Sequence, residues 1–141
     1  LRTQREYGDF LLKVQVKLEI PGNSGIQFRS HQQNGNGRVF GYQCEIDPSA
    51  RAWSAGIYDE GRRGWLFPLD KKPDAQRAYR AGEWNEFVIE AVGPRIRTWL
   101  NGIACADLVD TADMRGFIAL QVHSGKEGRI RWRNIRLRDL G

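Results

Sequence analysis

Residues 10–20, FLLKVQVKLEI, alternate without a break: Phe10, Leu12, Val14, Val16, Leu18 and Ile20 against Leu11, Lys13, Gln15, Lys17 and Glu19. Successive side chains of a strand face opposite sides, so this period of two predicts one buried and one solvated face. Such a strand needs a second layer over its apolar side. The pattern returns along the chain. In residues 24–31, Ile26 and Phe28 face inward while Gln27, Arg29 and His31 face outward. In residues 39–47, Phe40, Tyr42, Cys44 and Ile46 oppose Gly41, Gln43, Glu45 and Asp47. In residues 117–123, Ile118, Leu120 and Val122 oppose Ala119, Gln121 and His123. Further strands are predicted at 86–92, 95–100, 103–108 and 129–137. The last shows a parity slip near Arg133-Asn134 that one inserted residue, a β-bulge, explains. Turn residues separate these runs, among them Pro21-Gly22-Asn23, Gly93-Pro94 and Asn101-Gly102. About eight strands with almost no helix predict an all-β, antiparallel sandwich of the jelly-roll kind, one domain over residues 1–141.

The net charge is +5, from 22 Lys and Arg against 17 acids. Arg129, Arg131, Arg133, Arg136 and Arg138 cluster locally, but they alternate with Ile130, Trp132, Ile135 and Leu137. That is the solvated face of a strand rather than a basic stripe interleaved with stacking aromatics, so no nucleic-acid partner is expected. No apolar run approaches a membrane span. The chain opens on a charged segment, so a targeting segment is expected to have been removed or never to have been present. Two cysteines are too few for a disulfide framework; Cys44 is expected as a small buried hydrophobe, and a bridge to Cys105 requires neighbouring strands.

Parity places Gln27, Arg29, His31, Gln43, Glu45, Asp47, Gln121 and His123 opposite the core. If their strands are neighbours, one sheet carries a concave polar floor of carboxylates, amides, an arginine and imidazoles. Residues 49–79 lack strong periodicity beyond one helical turn at 75–80, yet hold Trp53, Tyr58, Trp65, Phe67 and Tyr79. So long a stretch in a compact domain is usually functional or disordered, and its aromatics predict an ordered wall beside the floor. Ring faces next to amides and acids suit a sugar. His31, Glu45, Asp47 and His123 offer ligands for a divalent metal, but at no diagnostic spacing, so the metal question stays open and no other cofactor is expected. Nucleophile-elbow, phosphate-loop and dinucleotide fingerprints are absent.

The blocks EYGDFLLKVQVKL, NSGIQFRS, GYQCEIDPSARAWSAGIYDEGRRGWL, GEWNEFVIEAVGPRIRTWLNG, GFIALQVHSG and RWRNIRLRDL resemble, in order, the 3-keto-disaccharide hydrolase domain family, a bacterial family with a concanavalin A-like lectin/glucanase sandwich. Members usually begin some tens of residues earlier, which implies a missing N-terminal strand or a trimmed domain. Many also carry a glutamate where this chain has Gln43, so here the carboxylate is Glu45. The resemblance implies an extracytoplasmic enzyme whose substrates are glycosides oxidised to a ketone at the third ring carbon. The ketone acidifies the neighbouring C–H, so a base can form an enolate that expels the anomeric substituent, and water then adds. Glu45 and His123 are the candidate base and acid, with Arg29 or a metal on the enolate oxygen. Gln27, Gln43, Asp47, Trp53, Tyr58, Arg62, Trp65 and Gln121 are the candidate substrate-binding residues. An ordinary glycosidase, with Glu45 and Asp47 as its carboxylate pair, ranks lower. The chief rival is a non-catalytic carbohydrate-binding module of the same fold.

Overall fold

The computed structural model describes residues 1–121 and 129–141. Ten strands form there: β1 (Phe10–Ile20), β2 (Ser24–Gln32), β3 (Val39–Ile46), β4 (Ile57–Glu60), β5 (Gly64–Phe67), β6 (Asn85–Val92), β7 (Arg95–Leu100), β8 (Ile103–Val109), β9 (Phe117–Leu120) and β10 (Arg129–Asp139). One helical turn, α1 (Pro73–Gln76), precedes β6. The strands make two five-stranded antiparallel sheets, ordered β10-β1-β6-β7-β8 and β5-β4-β3-β2-β9. The protein is an all-β sandwich, as the alternation predicts.

The core lies between the sheets. Phe10, Leu12, Val14 and Val16 meet Ile26, Phe28, Tyr42, Cys44 and Ile57, all buried. Phe10 packs edge-on to Phe28 at 5.9 Å, and Phe28 stacks on Tyr42 at 5.5 Å. Each fully buried side chain of this size contributes about 2 kcal/mol of transfer free energy. Cys44 and Cys105 sit on strands of opposite sheets, β3 and β8, and are free buried thiols rather than a bridge.

Two expectations need correction. Residues 49–79 are not irregular throughout, because β4 and β5 form a hairpin that extends the second sheet, with Tyr58 opposite Trp65 and Asp59 opposite Gly64. Each strand is four residues long, too short to display a period. The helical turn lies at Pro73–Gln76 rather than at 75–80, with Pro73 at its first position, where a missing N–H costs nothing.

The predicted slip in the last strand is present. Lys13 pairs with Arg136 and Gln15 with Arg133, so β10 carries one extra residue there, and Asn134 adopts φ 52°. A second bulge was not legible. On β2, Phe28 pairs with Tyr42 and His31 with Phe40, so Arg29 and Ser30 together oppose Gly41, with Arg29 at φ 44°. Glycine flanks the bulge on both sides. A Cβ on Gly116 would lie 2.3 Å from the Arg29 carbonyl carbon, and one on Gly41 would lie 2.8 Å from Ser30 Oγ.

Candidate functional site

That bulge turns Arg29 off the floor. Its side chain is fully buried at one end of the sandwich, where it donates to the carbonyl oxygens of Gly8 at 3.0 Å and Gly93 at 2.7 Å. It also donates to the carbonyl of Asp113 at 3.4 Å and to the Asp9 carboxylate at 3.3 Å. Burial pulls the guanidinium below its usual range, and Asp9 opposes that shift. Arg29 is therefore a clamp between the sheets, and its expected place beside Glu45 is corrected. His31 likewise leaves the floor; its Nε2 lies 2.9 Å from Asp113 Oδ1. Arg62 also belongs to this end. It pairs with Asp59 and Asp113 at 2.8 and 2.5 Å and covers the Phe40 ring, rather than reaching the floor.

The remaining polar positions do converge. Because β4, β3, β2 and β9 are consecutive in their sheet, Gln27 lies opposite Gln43, Gln43 opposite Tyr58, and Tyr58 opposite Trp65. These four make one row across the outer face. In the next row Glu45 pairs with Gly25, whose carbonyl accepts from the Gln121 N–H at 3.0 Å. A cleft of about 330 Å³ lies over both rows, lined by Asn23, Gln43, Glu45, Arg51, Tyr58, Glu60, Trp65 and Gln121. An apolar gap of about 210 Å³ among Leu12, Ile118, Leu120, Ile135 and Leu137 lies at the β9–β10 side of the sandwich. It offers no group that could do acid–base work.

Glu45 occupies the middle of the cleft and is 5% exposed. Its Oε1 accepts from Gln43 Nε2 at 2.9 Å and from Asn23 Nδ2 at 3.2 Å. Burial pushes its carboxyl up to about 7; the two amide hydrogen bonds and Arg51 pull the other way without cancelling that. Three acceptors nearby, Gln27 Oε1, Gln43 Oε1 and Gln121 Oε1, are buried without a hydrogen-bond partner among the described residues. Unpaired buried acceptors are costly, so this cluster calls for a donor that the described residues do not supply.

Asp47 faces the same way as Glu45 but is consumed by its own loop. It accepts from the Ser49 N–H and hydroxyl at 3.0 and 2.5 Å, from Arg51 Nε at 2.8 Å, and from the Trp53 N–H at 3.3 Å. These donors hold its carboxyl below the usual range. The loop they shape brings an aromatic wall to the cleft. Trp53 meets Trp65 edge-on at 4.9 Å, Tyr58 meets Trp65 edge-on at 5.2 Å, and the Arg51 guanidinium covers both indoles at 4.4 and 4.9 Å.

His123 lies outside the described residues. Among those described, no three His, Cys, Asp or Glu side chains come together as a metal site. Sequence reasoning missed Asn23, Arg51 and Glu60. Asn23 reads as a turn residue and Arg51 as one charge in a long loop; neither carries a local signal of its place beside Glu45.

The protein is of the antiparallel, jelly-roll β-sandwich class, with an amide-rich cleft and an aromatic wall on one outer sheet face. The chain belongs to the 3-keto-alpha-glucoside-1,2-lyase-like domain family, whose model matches residues 1–138. No curated protein matches the sequence. Among solved structures it is similar to two candidate glycosyl hydrolases from Parabacteroides distasonis. The first has TM-score 0.72 and 21% identity, covering 99% of this chain and 82% of that one. The second has TM-score 0.70 and 17% identity, covering 99% and 76%. It is also similar to the carbohydrate-binding module CBM66 from Bacillus subtilis, with TM-score 0.68 and 15% identity, covering 96% and 78%. At these identities the likeness is one of fold. Among the described residues no helix is long and apolar enough to cross a membrane.

Proposed function

We propose that this domain cleaves glycosides already oxidised to a ketone at the third ring carbon, by elimination and hydration, with Glu45 as the base. The observation that carries the reading is the Glu45 carboxyl: central in the cleft, nearly buried, fixed by Gln43 and Asn23, and pushed up to about 7. A general base works best when its pKa lies near the working pH. Glu45 removes the proton from the second ring carbon, and the C–H electron pair forms the enolate of the neighbouring ketone. Collapse of the enolate breaks the bond from the anomeric carbon to the leaving oxygen, which departs with the electron pair and takes up a proton. Water then adds across the new double bond, its hydroxyl going to the anomeric carbon and its proton to the second carbon.

A glycosidase using Glu45 and Asp47 fits less well, because Asp47 is tied to Ser49, Arg51 and Trp53. Glu60 is the other carboxylate lining the cleft. It sits on β4 opposite Gly41, four residues along β3 from Glu45, which is about 13 Å of strand. One observation favours a non-catalytic carbohydrate-binding module instead: unpartnered amide oxygens and an aromatic wall bind sugar hydroxyls and ring faces without any chemistry.

The test is to incubate the protein with a 3-keto-glycoside and with its unoxidised parent and to measure aglycone release. Release from the ketone alone, lost in Glu45→Gln, is expected. Binding of sugars with no release from either compound establishes the binding module and overturns the enzyme.

A further inference from the structure

Elimination through an enolate needs a cation at the ketone oxygen, and the buried position of Arg29 leaves that role empty. Arg51 is the one lysine or arginine lining the cleft among the described residues. It is unusually well held for a loop arginine. Asp47 accepts from its Nε at 2.8 Å, and its guanidinium carbon lies 4.4 and 4.9 Å from the ring centroids of Trp53 and Trp65. Asp47 is itself fixed by two backbone N–H groups and a hydroxyl of the same loop, so it cannot swing away with Arg51. A carboxylate at Nε and rings beside the guanidinium leave the two terminal nitrogens, which make no hydrogen bond among the described residues, to point elsewhere. An arginine restrained in this way presents its remaining N–H donors in a fixed fork suited to an oxyanion. Arg51 also acts electrostatically on Glu45.

Resting on the reading above, we propose that Arg51 is the catalytic residue that binds the ketone oxygen as it becomes an enolate, and that Asp47 is its positioning residue. The substrate then lies in one direction only. The keto ring sits at the aromatic end against Trp65 and Tyr58, and the leaving group extends over Asn23, Gln43 and Gln121, where the amide oxygens of Gln43 and Gln121, unpartnered among the described residues, accept from its hydroxyls.

The decisive experiment separates enolate formation from bond cleavage. A 3-keto sugar with hydrogen in place of the anomeric substituent has nothing to expel. In deuterated water, the protein should therefore exchange only the proton on its second carbon, at a rate read by NMR. Arg51→Met retains an aliphatic cover for the two indoles and should slow exchange about a hundred- to a thousandfold, the usual cost of one oxyanion donor. Added guanidinium should restore part of the rate, which a purely structural arginine would not allow. Asp47→Asn should lower kcat with little change in KM, and adding it to Arg51→Met should cost nothing more, because both act through one interaction. If the wild type exchanges and Arg51→Met exchanges as fast, or loses exchange together with its fold and beyond rescue by guanidinium, the assignment of Arg51 fails while the reading of Glu45 stands. If the wild type neither exchanges nor cleaves any keto-glycoside, the parent reading fails and this one with it.

Discussion

Two polar regions share strands β3 and β4, yet their chemistry is opposite. Tyr42 and Asp59 face each other on the inward side, while Gln43 and Tyr58, one residue along, face each other on the outward side. At the inward end every charge is answered. Asp59, 1% exposed, holds Arg62 at 2.8 Å and Arg63 at 2.5 Å; Arg63 also holds Asp110 at 2.9 Å, and Arg62 holds Asp113 at 2.5 Å. The Tyr42 hydroxyl donates to Asp110 at 2.5 Å and accepts the Asp113 N–H at 3.3 Å. Burial and Asp110 push the Tyr42 phenol up to about 12, while Arg63 and Tyr42 hold Asp110 down at about 2. Among the described residues, Glu45 on the outward face has only neutral amides in side-chain hydrogen-bond contact, its carboxyl is pushed up to about 7, and three amide oxygens have no partner. A region that satisfies itself holds the fold together. A region whose acceptors lack partners among the described residues is where the proposed ligand is placed.

The largest expected effect comes from making the outward face electrically neutral. Glu45→Gln should reduce turnover of a 3-keto-glycoside about a hundred- to ten-thousandfold. It keeps the acceptor for Gln43 and Asn23 and removes a buried charge. A carboxyl raised in the folded state contributes stability that is complete below its unfolded pKa and is lost as pH rises through about 7. Relative to wild type, Glu45→Gln should therefore be more stable above pH 7 by about 3 kcal/mol. Denaturant melts at pH 5 and pH 8 check the sign. An activity loss accompanied by lower stability at pH 8 would remove the contrast.

The matching change inward is Asp59→Asn. It leaves Arg62 and Arg63 without their buried counter-charge, so stability should fall by about 3 kcal/mol, with sugar affinity unchanged. Unfolding curves and ligand titration together decide whether the two regions are energetically separate.

Next in size is the aromatic wall. Trp65→Ala should weaken sugar binding about tenfold, as loss of a stacking ring does, measured by calorimetry. Binding at wild-type strength would show that ligands engage the amide half alone.

The smallest effects are those of pH on the wild type. Activity should rise with pH through about 7 as Glu45 ionises. Stability from the inward network also rises with pH, but in a lower range. Asp110 is depressed in the fold, so its contribution is present above the ordinary aspartate range and is lost as pH falls toward about 2. A pH–rate profile without an acid limb near neutrality would separate Glu45 from the chemistry.

The sandwich was legible because alternation is local. Phe10–Ile20 announces its own buried face whatever it packs on, and Asn101-Gly102 announces its own turn. The same parity placed Gln27, Gln43, Glu45 and Gln121 on one outer face, and the sheet order made them neighbours. Parity failed where a bulge changed the count, at Arg29, and where a side chain found closer partners, at Asp47. It also missed β4 and β5, because four residues are too few to show a period and only pairing with β3 identifies them. Arg62 and Arg63 reach Asp113 and Asp110 across about fifty residues of chain, and Arg29 reaches Gly93 across 64. No window of sequence contains both partners of such a contact. The alternating pattern thus decided which face of each strand is wet, and the packing of distant segments decided which wet residues are already satisfied and which lack a partner among the described residues.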